Sequence, residues 1–115
     1  MSNLPIYKII VTKFFKKQLK QLLKKDRFLV TSVKESLLNF TKQQAVSIGK
    51  GVYKIRLKSC GKGKSGGYRL YVFVVEVDGI LAPICIYAKN KKENLTYEEL
   101  VWYLTKTKEE LMTLI

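Results

Sequence analysis

A chain of 115 residues is long enough to bury one core without help from disulfides or metals, and its 47% hydrophobic content excludes a disordered chain. No apolar run approaches the roughly 18–20 residues of a membrane span, while two cysteines and no histidine exclude a disulfide framework and a mixed Cys/His zinc site. Twenty-two Lys and Arg against nine Asp and Glu give a formal net charge of +13, which points to a polyanionic partner.

Met1 to Pro5 is polar and leads into a charged stretch rather than a secretory signal. A cytoplasmic protein of one domain, residues 1–115, with Cys60 and Cys85 as reduced thiols, is therefore expected. Residues 6–11, rich in β-branched and aromatic types, read as a short strand. Thr12 can cap the helix that follows, in which Phe15, Leu19, Leu22 and Leu23 share one face and Lys13, Lys17, Lys20 and Lys24 another. After a break near Lys25 and Asp26, a second helix runs to about Phe40 with Val30, Val33, Leu37 and Phe40 on one side, so the two form a hairpin.

From Val52 the period changes to two. Tyr53, Ile55 and Leu57 alternate with Lys54, Arg56 and Lys58, giving a strand with one apolar and one basic face. A loop with Gly61, Gly63, Gly66 and Gly67 carries Lys62 and Lys64. The next strand is Tyr68 to Val77, and Asp78-Gly79 turns it into a third over Ile80 to Lys89, where Pro83 demands an edge, a bulge or a late start. Thr96 and Glu99 form a capping box ahead of Leu100, Val101, Leu104 and Leu111. The last helix also reverses the charge: residues 93–115 hold two basic and five acidic groups, against 20 and four before them. The expected fold is α+β, order βααβββα, with the helices on one face of an antiparallel sheet.

Alternation puts Lys54, Arg56 and Lys58 on one face of their strand and Arg69, Tyr71 and Phe73 on one face of the next. Cations would neutralise phosphates and rings would stack on bases, which suits single-stranded RNA. The alternative is a sheet whose polar side is merely basic and whose Tyr71 and Phe73 are core. Gly63-Lys64-Ser65 mimics the end of a Walker A loop, but Lys58 stands where the first glycine belongs and a strand follows, so nucleotide binding is rejected. Without histidine, proton transfer falls to lysine or tyrosine. Clustered cations would stabilise a phosphorane-like transition state and, by mutual repulsion, help a lysine act as a base.

The segments GVYKIRLKS (51–59), GKGKSGGYRLYVF (61–73) and IYAKNKKENLTYEEL (86–100) resemble the RelE/HigB branch of toxins from bacterial toxin–antitoxin pairs, over roughly residues 8–104. The resemblance implies a cytoplasmic, metal- and cofactor-free endoribonuclease that enters the ribosomal decoding (A) site, cuts messenger RNA and inhibits translation, and is masked by a cognate antitoxin. It assigns Lys54 and Arg56 as base and phosphate stabiliser, Arg69 as transition-state stabiliser, Lys89 as a cation near the scissile phosphate and Tyr97, offset by about one position, as a substrate-contacting tyrosine. Asn90 stands where RelE itself carries arginine. Lys58, Lys62, Lys64, Tyr71 and Phe73 are the expected RNA-binding set, and an acidic antitoxin segment is expected over Arg56 or Arg69. Tyr87 and Trp102 read as core or interface. Two other functions fit the same fold: a ParE-like gyrase poison, and a nonenzymatic basic RNA-binding module.

Overall fold

Local sequence sets the first helix as expected. The Thr12 hydroxyl accepts from Phe15 N at 3.1 Å, and Phe15, Leu19 and Leu22 turn inward. In the structure, a computed structural model that describes residues 7–58 and 67–114, this helix is α1 (Lys13–Leu23). Around it stand β1 (Lys8–Ile9), α2 (Leu29–Leu38), a single 3₁₀ turn (Lys42–Gln44), β2 (Val46–Gly49), β3 (Val52–Lys58), β4 (Gly67–Val75), β5 (Ile80–Ala88) and α3 (Tyr97–Leu114). Cys60, Lys62, Lys64 and the glycines Gly61, Gly63 and Gly66 lie outside the described residues.

The α+β class holds, with three corrections to the arrangement. First, a strand is added: β2 precedes β3 and pairs with it antiparallel. Its residues are exposed or half-exposed throughout, so no period-two apolar signal marks it. Second, the sheet is mixed. Its order is β1-β5-β4-β3-β2, and β1 runs parallel to β5, with Lys8 opposite Ile80. Third, helices cover both faces. Leu57, Leu70, Val72 and Val74 pack beneath Phe15 of α1 and Leu29, Val33 and Leu37 of α2, whereas Val52, Tyr71, Ile84 and Cys85 pack beneath Leu100 and Leu104 of α3.

Two side chains tie the layers together. Glu110 of α3 accepts from the backbone N–H groups of Lys13 (2.5 Å) and Phe14 (3.1 Å), placing a carboxylate at the positive end of α1. Gln18 of α1 donates to Ile84 O at 2.9 Å and accepts from Ile86 N at 3.1 Å. That pair closes the part of the β5 edge that β1, which reaches only Ile80 and Leu81, leaves open. Pro83 sits at a bulge, because the register slips between Tyr71 and Val72, and the missing N–H is accommodated there. Cys85 is a free, fully buried thiol, and burial pushes it up to about 12. No helix among the described residues is long and apolar enough to cross a membrane.

Outside, α1 presents Lys13, Lys16, Lys17 and Lys20, with Lys24 at its C-terminal cap, all exposed. The pairs Lys13/Lys17, Lys16/Lys20 and Lys20/Lys24 are like charges four residues apart, each destabilising an isolated helix by about 0.2–0.5 kcal/mol. Burial of the opposite stripe supports the helix despite them.

Candidate nucleic-acid interface

Pairing of β3 with β4 builds the cationic surface. Val74 N donates to Gly51 O at 2.9 Å. By alternation the main chains of residues 53, 55 and 57 then face β4, and those of 54, 56 and 58 face away. Lys54 lies opposite Tyr71 and Arg56 opposite Arg69, in non-hydrogen-bonded pairs, where side chains approach closest, about 4.5–5.5 Å between Cβ atoms. The expected shared face therefore forms. Two arginines standing directly opposite each other are electrostatically unfavourable.

Arg69 is 5% exposed, and the loop after β5 holds it: Nε donates to the Glu93 carbonyl at 3.2 Å. Its Nη1 is buried with no hydrogen-bond partner. The acceptor is a neutral main-chain group, and among the described residues no carboxylate pairs with the guanidinium. Lys54, half-buried, donates from Nζ to Asn94 Oδ1 at 2.7 Å. Arg56 and Lys58 are exposed. Lys58 and Lys89 flank Gly67 in register: Lys58 pairs with Gly67, and Lys89 N donates to Gly67 O at 2.9 Å. With no side chain between them, the end of the sheet is left open and basic.

The aromatic part is corrected. Tyr71 is 1% exposed and cannot stack on a base; its hydroxyl is a strut, 2.9 Å from Tyr87 Oη and accepting from Leu95 N at 3.3 Å. Phe73 packs against the cluster under α3, with Lys108 Nζ 5.3 Å from its ring centre, so it too is not a free platform. The burial that sequence offered as the alternative applies to Tyr71 in full and to Phe73 in part. Tyr87, opposite Arg69 on β5, is the half-buried ring beside the arginine pair. Burial first, and the Tyr71 hydroxyl second, push its phenol far above the ordinary tyrosine value, so it remains a protonated donor. Tyr97 is displaced from this group: its exposed ring meets Lys50 Nζ at 5.5 Å, at the turn before β3, six residues ahead of Arg56.

Sequence reasoning thus passes over Asn94 and gives Tyr87 only a core or interface place. Alternation along β5 carries the signal for Tyr87 once its register is known. No pattern marks Asn94, which lies in an irregular loop.

The family model that matches the chain, over residues 7–114, is described as the RelE toxin of the RelE/RelB toxin–antitoxin system. Among solved structures, the chain is similar to that of the Escherichia coli toxin RelE, a double arginine-to-alanine mutant in the free state, with a TM-score of 0.51 and 21% identity over 84% of this chain and 95% of that one. A search of curated proteins gave no match.

Proposed function

Because this chain belongs to the RelE toxin family, and is thus the toxin of a toxin–antitoxin pair, we propose that it is an endoribonuclease that cuts messenger RNA in the ribosomal A site and so stops translation. The observation that carries the reading is Arg69: buried, uncompensated by a carboxylate, with an unspent Nη1 donor, and set against Arg56 and Lys54. Burying a cation in this state is unfavourable for folding alone, whereas a phosphate oxygen would supply the missing acceptor.

In this reading the 2′-hydroxyl attacks the adjacent phosphorus as the bond from phosphorus to the 5′-oxygen breaks, leaving a 2′,3′-cyclic phosphate and a 5′-hydroxyl. Lys54 takes the proton of the attacking hydroxyl, Arg56 and Arg69 stabilise the charge that grows on the equatorial oxygens, and the departing 5′-oxygen takes a proton from water. Lys58 and Lys89 neutralise flanking phosphates. In this reading the neutralising cations are side chains, and the reaction calls on no metal ion. Primer extension on messenger translated in a cell-free system tests the proposal. Cuts within codons should require ribosomes and disappear with Lys54→Ala. Intact messenger at concentrations that arrest growth would turn the reading toward a gyrase-type target, and cutting without ribosomes toward a free ribonuclease.

Asn94 supplies a second expectation. Its amide oxygen holds Lys54 Nζ in place, and misplacing a reacting group by an ångström can lower turnover by about 10²-fold. Asn94→Ala should therefore reduce the single-turnover cleavage rate, by up to that factor, while ribosome binding is retained. An unchanged rate would show that Lys54 needs no such support.

The masking partner also finds support. β2 covers β3 only as far as Lys54, and the outward main chains of Arg56 and Lys58 border a groove of about 510 Å³ against α2, floored by Phe40, Ile55 and Leu57. An extended acidic antitoxin segment added to this edge would cover Arg56.

A further inference from the structure

We propose that the lysine ridge of α1 is a second nucleic-acid surface, separate from the cutting face, that docks the protein on the phosphate backbone of double-stranded RNA. The cations of the cutting face lie on the α3 side of the sheet, whereas α1 packs on the other side. One stretch of strand bound beside Arg69 does not also run along Lys13, Lys17, Lys20 and Lys24. The ridge therefore needs its own partner.

Its composition selects the partner. The exposed positions of α1 are Lys13, Lys16, Lys17, Lys20 and Gln21, followed by Lys24, with no apolar side chain among them. A protein interface is built on buried aromatic or aliphatic anchors and is depleted in lysine. A membrane-surface helix inserts an apolar face, but here Phe15 and Leu19 are turned into the core. A phosphate backbone requires neither, only cations at regular spacing. Lysines one turn apart stand about 5–6 Å from each other, and the row runs about 16 Å along a rigid helix axis. Such a straight, rigid ridge suits a duplex, read through its backbone and shape.

The ridge is also unspent. The ion pairs among the described residues are Lys42–Glu76 and Lys92–Glu99, neither on α1. The one acidic side chain at its N-terminus, Glu110, is engaged with main-chain N–H groups, and Lys24 makes a long 3.5 Å bond to Gln21. Among the described residues no lysine of the helix makes an ion pair, so its like-charge repulsion persists and a polyanion would relieve it.

The choice of RNA over DNA rests on the ribosomal reading above; the backbone contact itself does not. The test is titration of a short double-stranded RNA with the purified chain across a salt series. Neutralising Lys13, Lys17, Lys20 and Lys24 to glutamine should lower the slope of log affinity against log salt by about three to four, and Lys20→Gln alone by about one. Lys106→Gln, an exposed lysine of α3 outside both surfaces, should keep the wild-type slope, and the cutting-face variant Lys54→Ala/Arg56→Ala should lose no more than its own two charges account for, about two. A ridge variant that binds duplex like wild type, or a slope loss confined to the cutting-face variant, would overturn the proposal. So would a ridge variant that loses binding to poly-glutamate while keeping RNA, which would make the ridge a site for an acidic protein. Circular dichroism should show the ridge variants melting no lower than wild type. Duplex binding is scored without cleavage, so ridge-dependent binding by a protein that cuts no messenger would refute the nuclease reading alone. Arg69-dependent cutting with ridge-independent binding would refute the ridge alone.

Discussion

Replacing Arg69 by alanine or methionine is expected to lower ribosome-dependent cleavage by about 10²–10³-fold, the loss that follows removal of one preorganised transition-state donor, with the methionine variant folding at least as stably as wild type. The second half of this expectation separates a functional arginine from a structural one. Arg69 is buried beside Arg56 with Nη1 unpaired, and its bond to Glu93 O contributes about 1.5–3 kcal/mol at most, since it comes from a charged donor. Exchanging a buried ionic group for an apolar one of similar volume is often neutral or stabilising by about 1–4 kcal/mol. Arg69→Met should therefore melt at or above the wild-type temperature and be as inactive as the alanine variant. A thermal melt beside the primer-extension assay decides it. A methionine variant that is inactive and also melts well below wild type would make Arg69 a structural residue whose loss of activity follows from a damaged sheet.

The largest effect on stability is expected at Gly67. A Cβ built there would stand 1.8 Å from Leu57 O and 2.8 Å from Leu57 C, both backbone atoms of the neighbouring strand that cannot swing aside. Gly67→Ala must part β3 from β4 at their basic end. Overpacking against fixed structure costs about 1–3 kcal/mol, occasionally more, and the upper end applies because backbone gives least. Lys89 N bonds Gly67 O, so the strain also reaches the cations around the site. Urea denaturation should show the loss in midpoint with an unchanged slope. A variant as stable as wild type would mean that the two strands separate at this end without penalty.

Gly67 also shows why some of the molecule was legible in sequence and some was not. As one of four glycines in a basic stretch it reads as loop flexibility, yet it belongs to β4 and its requirement is steric, set by β3, a strand that ends at Lys58. Features with a local cause were readable. The Thr12 cap, the Thr96–Glu99 capping box, with bonds of 2.9 and 3.1 Å, and the alternation that aligns Lys54 and Arg56 with Tyr71 and Arg69 all follow from a few neighbouring residues. Features decided by distant chain were not. The parallel pairing of β1 with β5 and the position of α3 on the opposite face depend on contacts that no short pattern encodes. Burial was the hardest property to read at the site: Tyr71 and Arg69 occupy the same face of β4, and only the packing of α3 and of the loop through Glu93 to Leu95 makes the tyrosine a strut and holds the arginine in place.

The parallel pairing and the Glu110 cap have a temporal meaning as well. Lys8 waits for Ile80, and the first turn of α1 waits for Glu110, so during vectorial synthesis β1 has no strand partner and α1 no carboxylate at its N-terminus until the second half is made. Arg69 likewise lacks its Glu93 acceptor until β5 and the loop beyond it have left the exit tunnel. Contacts of such long sequence separation slow folding. Assembly of the cationic site is thus a late event in the life of each nascent molecule, which leaves an interval in which the chain exists without its finished surface.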